Sequence, residues 1–428
     1  MKIRLTSRLS ALIIAGAALH APAAAQNSTV TPYSRFGYGV LEQQANTQQR
    51  GMGGVGIAMR SGRQINFINP ASYATIDSLT FLFDIAANTK MLRTEEGKES
   101  GKNFTGGLDY AVMQFPVTKY GGAAIGLVPW SQVGYSFGNE IVNGENSRQG
   151  SGTVSELFLG LSARPFKGFT LGVNVSYMFG TLLNDNYVLA QNGTTSSTSL
   201  FERVMEIRDW NIRAGIQYGF NVNRDTRLTL GVIYEPEKDF HGNSYGTKYD
   251  VGSDEAPTEE EIDGSKKMKG RYTKAATYGA GVNVEWGNRL IAEVDFSYQP
   301  WKNAKYTSLP GYEPVFGTDG TGFDNRWRVG AGAQWITNPR GNYLQRVNFR
   351  LGGYYCHDYL RVAGNNVTER GISLGFGLPA PTQKTVVNLA LEWRNRQASP
   401  QALVKENYFV ITLGINFNEL WFWQNRIR

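Results

Sequence analysis

The sequence predicts an all-β fold, a transmembrane antiparallel β-barrel of about 14 strands with an N-terminal hatch. Three observations lead to this prediction: an export signal, segments in which apolar and polar residues alternate, and connections that are alternately short and long. The 428 residues include 22 Tyr, 22 Phe and 9 Trp, and charged residues make up only 18%. A disordered chain would be poor in aromatics and rich in charge, so that class is excluded.

The N-terminus has the parts of an export signal. Lys2, Arg4 and Arg8 form a basic end, an apolar core spans 9–18, and alanines at 23–25 offer a cleavage site. The core is shorter than the roughly 20 residues that a spanning helix needs. Cleavage would remove three basic residues and lower the formal net charge from +7 to +4, so the pI gives no reason to expect a nucleic-acid partner.

The alternation is clearest in the last segment, where one face carries Phe409, Ile411, Leu413, Ile415 and Phe417. Side chains of a strand point alternately to opposite faces, so this strand has one apolar face. A soluble β-sandwich also alternates, but its strands are usually about 5–6 residues long. Segments of ten or more residues, glycine on the inward face and aromatics near strand ends favour a membrane barrel. Those aromatics are Tyr177, Phe179, Tyr234, Tyr298, Trp301, Trp335, Tyr354, Tyr355 and Trp393.

Fourteen strands are predicted, with short and long connections that alternate as periplasmic turns and outer loops do. Among the long connections are 184–204 and 241–267. The predicted strands are 79–91, 104–118, 121–137, 153–165, 169–183, 205–221, 226–240, 268–285, 289–301, 325–336, 346–358, 368–377, 385–396 and 407–417. The chain therefore divides into a signal peptide (1–25), a hatch segment (26–78), the barrel (79–417) and an aromatic, basic tail (418–428).

The segment before the barrel does not alternate and is rich in glycine. Gly51, Gly53 and Gly56 satisfy the G-x-G-x-x-G spacing of dinucleotide sites, which requires a strand before it and a helix after it. The preceding residues are polar and cannot form a buried strand. A Gly-rich coil that folds tightly in a confined space is the preferred interpretation, because glycine tolerates unusual dihedrals.

Gly51, Gly53, Gly54 and Gly56, followed by Asn69-Pro70-Ala71 and fourteen predicted strands, resemble the FadL type of outer-membrane transporter. The resemblance implies that residues 26–78 form a hatch in the lumen and that a hydrophobic compound, such as a long-chain fatty acid or an aromatic hydrocarbon, crosses passively. The start of the hatch segment (Tyr-Ser-Arg-Phe-Gly) and the C-terminal tail resemble the Bacteroidota branch of this family. Some members of that branch serve protein secretion or barrel assembly, which leaves an accessory barrel of a multiprotein machine as the alternative.

Few residues suit catalysis. His241 begins a long loop, and Cys356 and His357 are neighbours on a strand, so they point to opposite faces and form no dyad. One cysteine excludes a disulfide framework or a cysteine zinc site. The acidic loop 254–263 lacks the spacing of a calcium loop. We therefore expect no enzyme, no cofactor and no metal.

Charged residues on the inward face are expected to line the lumen and to pair with one another or with the hatch: Glu293, Asp295, Arg350, Glu392 and Arg394. The tail holds Trp421, Trp423 and two arginines, which suit either the periplasmic membrane interface or a periplasmic partner. The expected location is the outer membrane of a Gram-negative bacterium. The expected partners are its lipid and lipopolysaccharide, a hydrophobic ligand and, for an accessory barrel, other envelope proteins.

Overall fold

The computed structural model describes residues 31–141, 144–190, 198–251, 258–261, 266–287, 289–309, 316–380 and 385–420. Fourteen antiparallel strands form the wall. They are β1 (Thr80–Glu96), β2 (Glu99–Thr118), β3 (Gly121–Ile141), β4 (Gly144–Phe166), β5 (Phe169–Ala190), β6 (Thr198–Asn221), β7 (Thr226–Glu235), β8 (Thr277–Trp286), β9 (Leu290–Gln299), β10 (Arg326–Ile336), β11 (Asn348–Val362), β12 (Asn365–Pro379), β13 (Val386–Ser399) and β14 (Lys405–Leu420).

The wall closes between its first and last strands, since β1 pairs with β14 from Thr80↔Leu420 to Glu95↔Lys405. Every other wall strand pairs with its neighbours in chain order. The predicted fourteen-stranded antiparallel barrel is thus confirmed. Because the strand number is even, the chain enters and leaves the wall at the same end.

The wall is apolar outside and polar inside. On β14, Ile411 and Leu413 are exposed while Thr412 and Asn416 are fully buried. β5 repeats the pattern, with Val173 and Val175 exposed and Asn174 buried. A soluble protein has the opposite arrangement. The band of exposed apolar side chains around the wall, which we call the lipid belt, is therefore suited to contact with lipid, as in outer-membrane barrels. No helix among the described residues is long and apolar enough to cross a membrane.

Two predicted girdle aromatics lie inside the barrel instead. Trp301 belongs to a short 3-10 helix after β9 and is 1% exposed. Tyr354 shares the inward parity of Arg350 and Cys356 on β11, and its hydroxyl bonds Glu369. Sequence position near a strand end was a poor guide here, because the parity of the strand decides which side a residue faces.

The predicted ends of several strands were wrong at the outer side of the barrel. β4 begins at Gly144 and β6 at Thr198, well before the predicted 153 and 205, and β5 continues to Ala190. Beyond the lipid belt polar residues occupy both faces of these strands, so the alternation that guided the prediction disappears.

β7 and β8 are shorter than the predicted 226–240 and 268–285. β7 stops at Glu235, immediately before Pro236, which has no N–H to continue the ladder. The chain then turns inward and buries Phe240. It next forms a strand, Gly242–Val251, on the outer half of β6. The predicted outer loop therefore contains an added strand of the sheet.

The hatch segment fills the lumen with short elements. Its parts are a 3-10 helix (Pro32–Arg35), a two-residue strand (Val40–Leu41), the helix α1 (Thr47–Arg50) and a 3-10 helix (Pro70–Thr75). Asn46 caps α1 by a capping box with Gln49. The short strand pairs with Ser131 and Gln132 on β3, so the hatch is joined to the wall through its backbone.

Candidate functional site

The site suggested by the sequence is the hatch, and its Asn-Pro-Ala motif is buried against the wall. Asn69 caps the 3-10 helix by accepting a hydrogen bond from Ala71 N at 3.0 Å. Its amide nitrogen donates to Ile57 O at 2.7 Å, within the hatch, and to Ile216 O at 3.3 Å, on β6. Pro70 occupies the first helical turn, where a missing N–H costs little. Asn69 therefore links two parts of the hatch to the wall.

Two of the four hatch glycines, Gly51 and Gly53, bring the hatch backbone into direct contact with wall glycines, whereas Gly54 and Gly56 lie against hatch side chains. Gly53 and Gly54 both have φ of +72°, in the left-handed region that favours glycine. A Cβ on Gly352 would lie 2.1 Å from Gly53 N, and one on Gly375 would lie 2.9 Å from Gly51 Cα. Gly56 donates its N–H to Asp295. No strand–helix unit of the dinucleotide kind surrounds these glycines in the described hatch.

Lumen-facing glycines recur around most of the ring. A Cβ on any of the following would meet hatch atoms within 2.4 Å: Gly122, Gly160, Gly172, Gly215, Gly231, Gly332, Gly352 and Gly414. These positions belong to β3, β4, β5, β6, β7, β10, β11 and β14. Backbone and side chains of the hatch thus rest on a belt of glycines. We call the hatch and this belt the hatch layer.

Two of the predicted lumen charges hold hatch amides. Asp295 accepts from Gly56 N at 2.6 Å and Ile57 N at 3.0 Å, and Glu293 accepts from Ala58 N at 2.7 Å. Both carboxyl groups lie on β9 and are nearly inaccessible to solvent. Buried backbone N–H groups require acceptors, and these carboxyl groups supply them.

The other three predicted charges lie elsewhere on the inner wall. Arg350 donates to Gln334 and Asn388, both at 2.8 Å. Arg394 pairs with Glu392, with Nε at 2.9 Å from the carboxylate. Arg350 therefore joins β11 to β10 and β13, whereas the Arg394–Glu392 pair lies within β13.

Sequence reasoning missed two ion pairs that hold the hatch. Arg50 of α1 pairs with Asp109 of β2 at 2.8 Å, and both side chains are buried. Asp109 faces inward because it is the extra residue of a β-bulge, between Leu108↔Ala87 and Tyr110↔Ala86. A bulge shifts the alternation by one residue, and from the sequence alone that shift did not show which residue would face inward, so this pair had no clear sequence signal.

The second pair joins Glu42 of the hatch to Lys90 of β1 at 2.8 Å. Burial alone would raise the pKa of Glu42, but the positive charges of Lys90, Arg394 and Arg50 outweigh it and lower the pKa to about 2. Glu42 therefore remains ionised, and it provides a charged anchor close to the two-residue hatch strand.

Above the hatch layer lies a second layer made of aromatic rings, which we call the aromatic layer. Tyr38 is at its centre and contacts Trp130 and Phe240, with ring centroids 6.0 and 5.1 Å apart. Trp301 packs against Tyr38 and Tyr359. These rings come from the hatch, from the wall and from the connections after β7 and β9, so the long outer loops fold back and cover the lumen.

One cavity inside the lumen is small, and its lining mixes charged and apolar side chains. It has a volume of about 140 Å³ and lies between the hatch and β6–β10, where charged side chains such as Arg213 and Glu235 stand beside apolar ones such as Ile57 and Ile233. Pockets for drug-sized ligands are usually about 300–1,000 Å³ and mainly apolar. This cavity is therefore smaller than the usual pocket for a ligand of that size.

The wall has a seam between β2 and β3. These strands pair only from Ala111↔Leu127 to Thr118↔Gly121. Beyond that point, β2 keeps β1 as its partner, and β3 pairs with the hatch strand instead. Pro129 and the bulged Trp130 bend β3 at the separation, and Pro129 has no N–H to offer a neighbour.

The residues weighed as catalytic candidates do not form a catalytic group. The imidazole of His357 contacts Asn325 O at 3.0 Å and stacks on Trp327, while Cys356 is buried and its thiol points to a backbone carbonyl. His241 contacts Asp209 near an exposed edge. The described residues contain no group of three or more metal-binding side chains.

Several predicted features lie outside the described residues. They are the signal peptide, residues 191–197 of the long connection 184–204, most of the acidic loop 254–263 and the aromatic tail from 421 onward. Residues 418–420, which were assigned to the tail, belong to β14 and pair with β1.

The fold is similar to solved outer-membrane channels. A Pseudomonas aeruginosa FadL homologue has a TM-score of 0.59 at 11% identity, covering 88% of this chain and 99% of the homologue. The P. putida toluene transporter TodX has a TM-score of 0.59 at 12% identity, with coverage of 88% and 99%. The Ralstonia pickettii toluene transporter TbuX has a TM-score of 0.56 at 13% identity, covering 88% of this chain and 98% of the transporter.

At these identities the likeness concerns the fold, which is the FadL-like barrel that the sequence predicted. These neighbours are channels rather than enzymes. No curated protein matches the chain. The family model that matches is BamG rather than FadL, and it spans residues 8–428. Since that match covers nearly the whole chain, including the hatch and all fourteen strands, the chain belongs to the BamG family.

Proposed function

We propose that this protein is an accessory barrel of a multiprotein outer-membrane assembly, of the barrel-assembly or secretion kind. The observation that carries the proposal is the filled lumen. Hatch backbone rests on wall glycines, two buried ion pairs hold it there, and aromatic rings close the outer side. A barrel whose interior is packed in this way is suited to presenting surfaces to partners rather than to conducting a solute.

Two further features support this role. The BamG family membership supports it through the family name. The second feature is the shape of the outer side, where β4–β6 reach 22–24 residues although a membrane strand needs only about 9–11. Together with Gly242–Val251 they form a sheet that projects beyond the lipid belt. A projecting sheet offers a partner more surface than short loops would.

Affinity purification from native outer membranes in a mild detergent tests the proposal. The expected result is stable, near-stoichiometric recovery of other envelope proteins, with no hydrophobic compound in the barrel. A tagged outer-membrane barrel of similar size and abundance serves as the control for co-purification. Recovery of a lone barrel that carries fatty acid or hydrocarbon would contradict the proposal.

Passive uptake of hydrophobic compounds is the second candidate, and the seam between β2 and β3 favours it. The separation of these strands beyond Ala111↔Leu127 could give an apolar molecule a lateral path past the wall. The hatch strand Val40–Leu41 covers the β3 side of this path. The structural neighbours named as toluene transporters support the same candidate.

Uptake of labelled oleate or toluene by cells tests the second candidate. Leu108→Trp adds bulk at the seam, and Leu351→Trp makes the same change on the lipid face of β11, remote from it. The two leucines have almost equal exposure, 61% and 62%. Transport through the seam predicts slower uptake for Leu108→Trp alone. Equal uptake by both variants and the wild type would exclude this route.

A further inference from the structure

A cavity of about 920 Å³ lies at the end of the barrel that carries the short turns. Its lining runs from the underside of the hatch, at Arg60 and Thr75, past the β4–β5 turn to the lipid-facing aromatics Tyr120, Phe166 and Tyr218. The cavity therefore opens where the barrel meets the membrane interface. In an outer membrane with this topology, that level is the headgroup region of the inner, phospholipid leaflet.

Four cationic side chains line this cavity: Arg60, Arg164, Lys167 and Arg227. None has a carboxylate within ion-pair distance among the described residues. Glu285 is the acidic side chain whose charge acts on Arg60 and Arg227, but it forms an ion pair with neither. Against this one carboxylate, the four cationic side chains leave the cavity with an excess of positive charge.

Of the four cationic side chains, Arg60 gives the clearest indication of an anion site. It is only 7% exposed, and its guanidinium bonds two neutral groups, Thr170 Oγ1 at 2.9 Å and Gln217 Oε1 at 3.1 Å. Burial, together with the positive charge of Arg227, lowers the pKa of Arg60 to about 10. A buried charge without a counter-ion is costly, so an anion that reaches Arg60 would be bound favourably.

Arg60 and Arg227 converge on one point. A Cβ built on Gly219 would lie 3.0 Å from Arg60 Nη1 and 3.1 Å from Arg227 Nη2. The missing side chain of Gly219 thus leaves a small space that two guanidinium groups border. Arginine presents several N–H donors in a planar fork, which suits it to the oxygens of a phosphate group.

The rim of the cavity is suited to the acyl chains of a lipid. Tyr120 and Phe166 are 54% and 59% exposed, and Phe166 stacks on Phe169 with ring centroids 4.8 Å apart. Lys119 and Arg164 lie over the Tyr120 ring at 4.9 and 6.0 Å. Cations beside exposed aromatics are the pattern of an interfacial girdle, where rings contact acyl chains and cations contact headgroups.

We propose that this cavity binds the phosphate of an anionic phospholipid from the inner leaflet, with Arg60, Arg164 and Arg227 around the headgroup and Tyr120 and Phe166 against the acyl chains. The proposal is independent of the function proposed above, since an accessory barrel and a transporter would both hold such a lipid. Soluble phosphate shares the headgroup chemistry but would make no use of the aromatic rim.

Native mass spectrometry of the full-length barrel, with phosphatidylglycerol or phosphatidylcholine added in neutral detergent, tests the proposal. Wild-type protein should retain phosphatidylglycerol in clear preference to phosphatidylcholine. Arg164→Gln/Arg227→Gln removes two charge-assisted contacts, so retention should fall at least about ten-fold, as a loss of roughly 1.4 kcal/mol would give. Arg224→Gln/Arg289→Gln, at exposed positions of the same end, is the matched control and should bind as wild type does.

A heat-modifiable shift in gel mobility confirms that each variant is a folded barrel before binding is compared. Millimolar inorganic phosphate should leave the bound lipid in place. Loss of lipid to inorganic phosphate, or equal retention of both lipids, would overturn the lipid assignment. Equal retention of phosphatidylglycerol by the Arg164→Gln/Arg227→Gln variant and the wild type would overturn the site itself.

Discussion

The two layers of the plug occupy the same lumen but are held in opposite ways. In the hatch layer, backbone lies on backbone, and the wall contributes glycines such as Gly332 and Gly352 that leave no room for another atom. In the aromatic layer, large side chains fill the space, and Tyr38 alone contacts five other rings. The first layer should therefore be sensitive to added atoms and the second to removed ones. A comparison of substitutions in the two layers tests this difference.

The largest effect is expected from truncation in the aromatic layer. Trp301→Ala removes a ring that is 1% exposed and contacts Tyr38, Phe323 and Tyr359. The folded barrel should lose about 4 kcal/mol of stability, as large aromatic-to-alanine changes do in cores. Trypsin should then cut sooner at Lys302 and Lys305, in the loop that carries the ring. Trp301→Phe should lose much less, and equal losses for both variants would contradict the packing argument.

The next effect is expected from an added methyl group in the hatch layer. Gly352→Ala places a Cβ 2.1 Å from Gly53 N, so the hatch must shift, at a cost of about 3 kcal/mol. Single-barrel conductance in planar bilayers should rise as the hatch loosens. The adjacent Gly353→Ala is the matched control, because its Cβ meets nothing closer than 3.3 Å. If both variants conduct alike, the hatch is not held by glycine contacts.

A smaller effect is expected where a side chain holds hatch amides. Asp295→Ala leaves the N–H groups of Gly56 and Ile57 without their acceptor, which should cost about 2 kcal/mol. Chemical denaturation followed by gel mobility measures the loss. Asp295→Asn keeps one acceptor oxygen and should recover part of the stability. An Asp295→Ala variant as stable as the wild type would show that these amides find other partners.

The smallest effect is expected from the Glu42–Lys90 pair. Glu42→Gln keeps the shape of the side chain but removes its charge, so about 1 kcal/mol should be lost through a weaker contact with Lys90 at 2.8 Å. Because the folded-state pKa of Glu42 lies below its ordinary value, its stabilisation is present above pH 4–5 and is lost as the pH falls towards 2. The wild type should therefore lose stability over that range more steeply than the variant.

The order and number of the wall strands could be predicted from the sequence, because lipid outside and a polar lumen inside impose a strict alternation. Phe169 to Phe179 and Phe409 to Phe417 show it without interruption. The prediction failed where that contrast ends. The outer parts of β4–β6 carry polar residues on both faces without a regular alternation, and Pro236 ends β7 five residues before the predicted end.

The candidate site was predictable in outline but not in its contacts. A Gly-rich segment with Asn69-Pro70-Ala71 pointed to a hatch, yet nothing in the sequence paired Gly53 with Gly352 or Arg50 with Asp109. Both pairings join residues far apart in the chain, and the bulges at Asp109 and Trp130 change which face a residue occupies. Such local irregularities depend on the neighbouring strands, so a single sequence does not contain a readable signal for them.

The belt of wall glycines has a consequence for the kinetics of folding. Thr47 of the hatch meets Gly414 on the last strand, and Thr80 pairs with Leu420. These contacts join the hatch and the first wall strand to the last wall strand, so the ring cannot close before almost every strand is present. High contact order of this kind slows folding and prolongs the exposure of unpaired strand edges. We therefore expect this barrel to refold slowly from denaturant, and variants with a displaced hatch to close more slowly still.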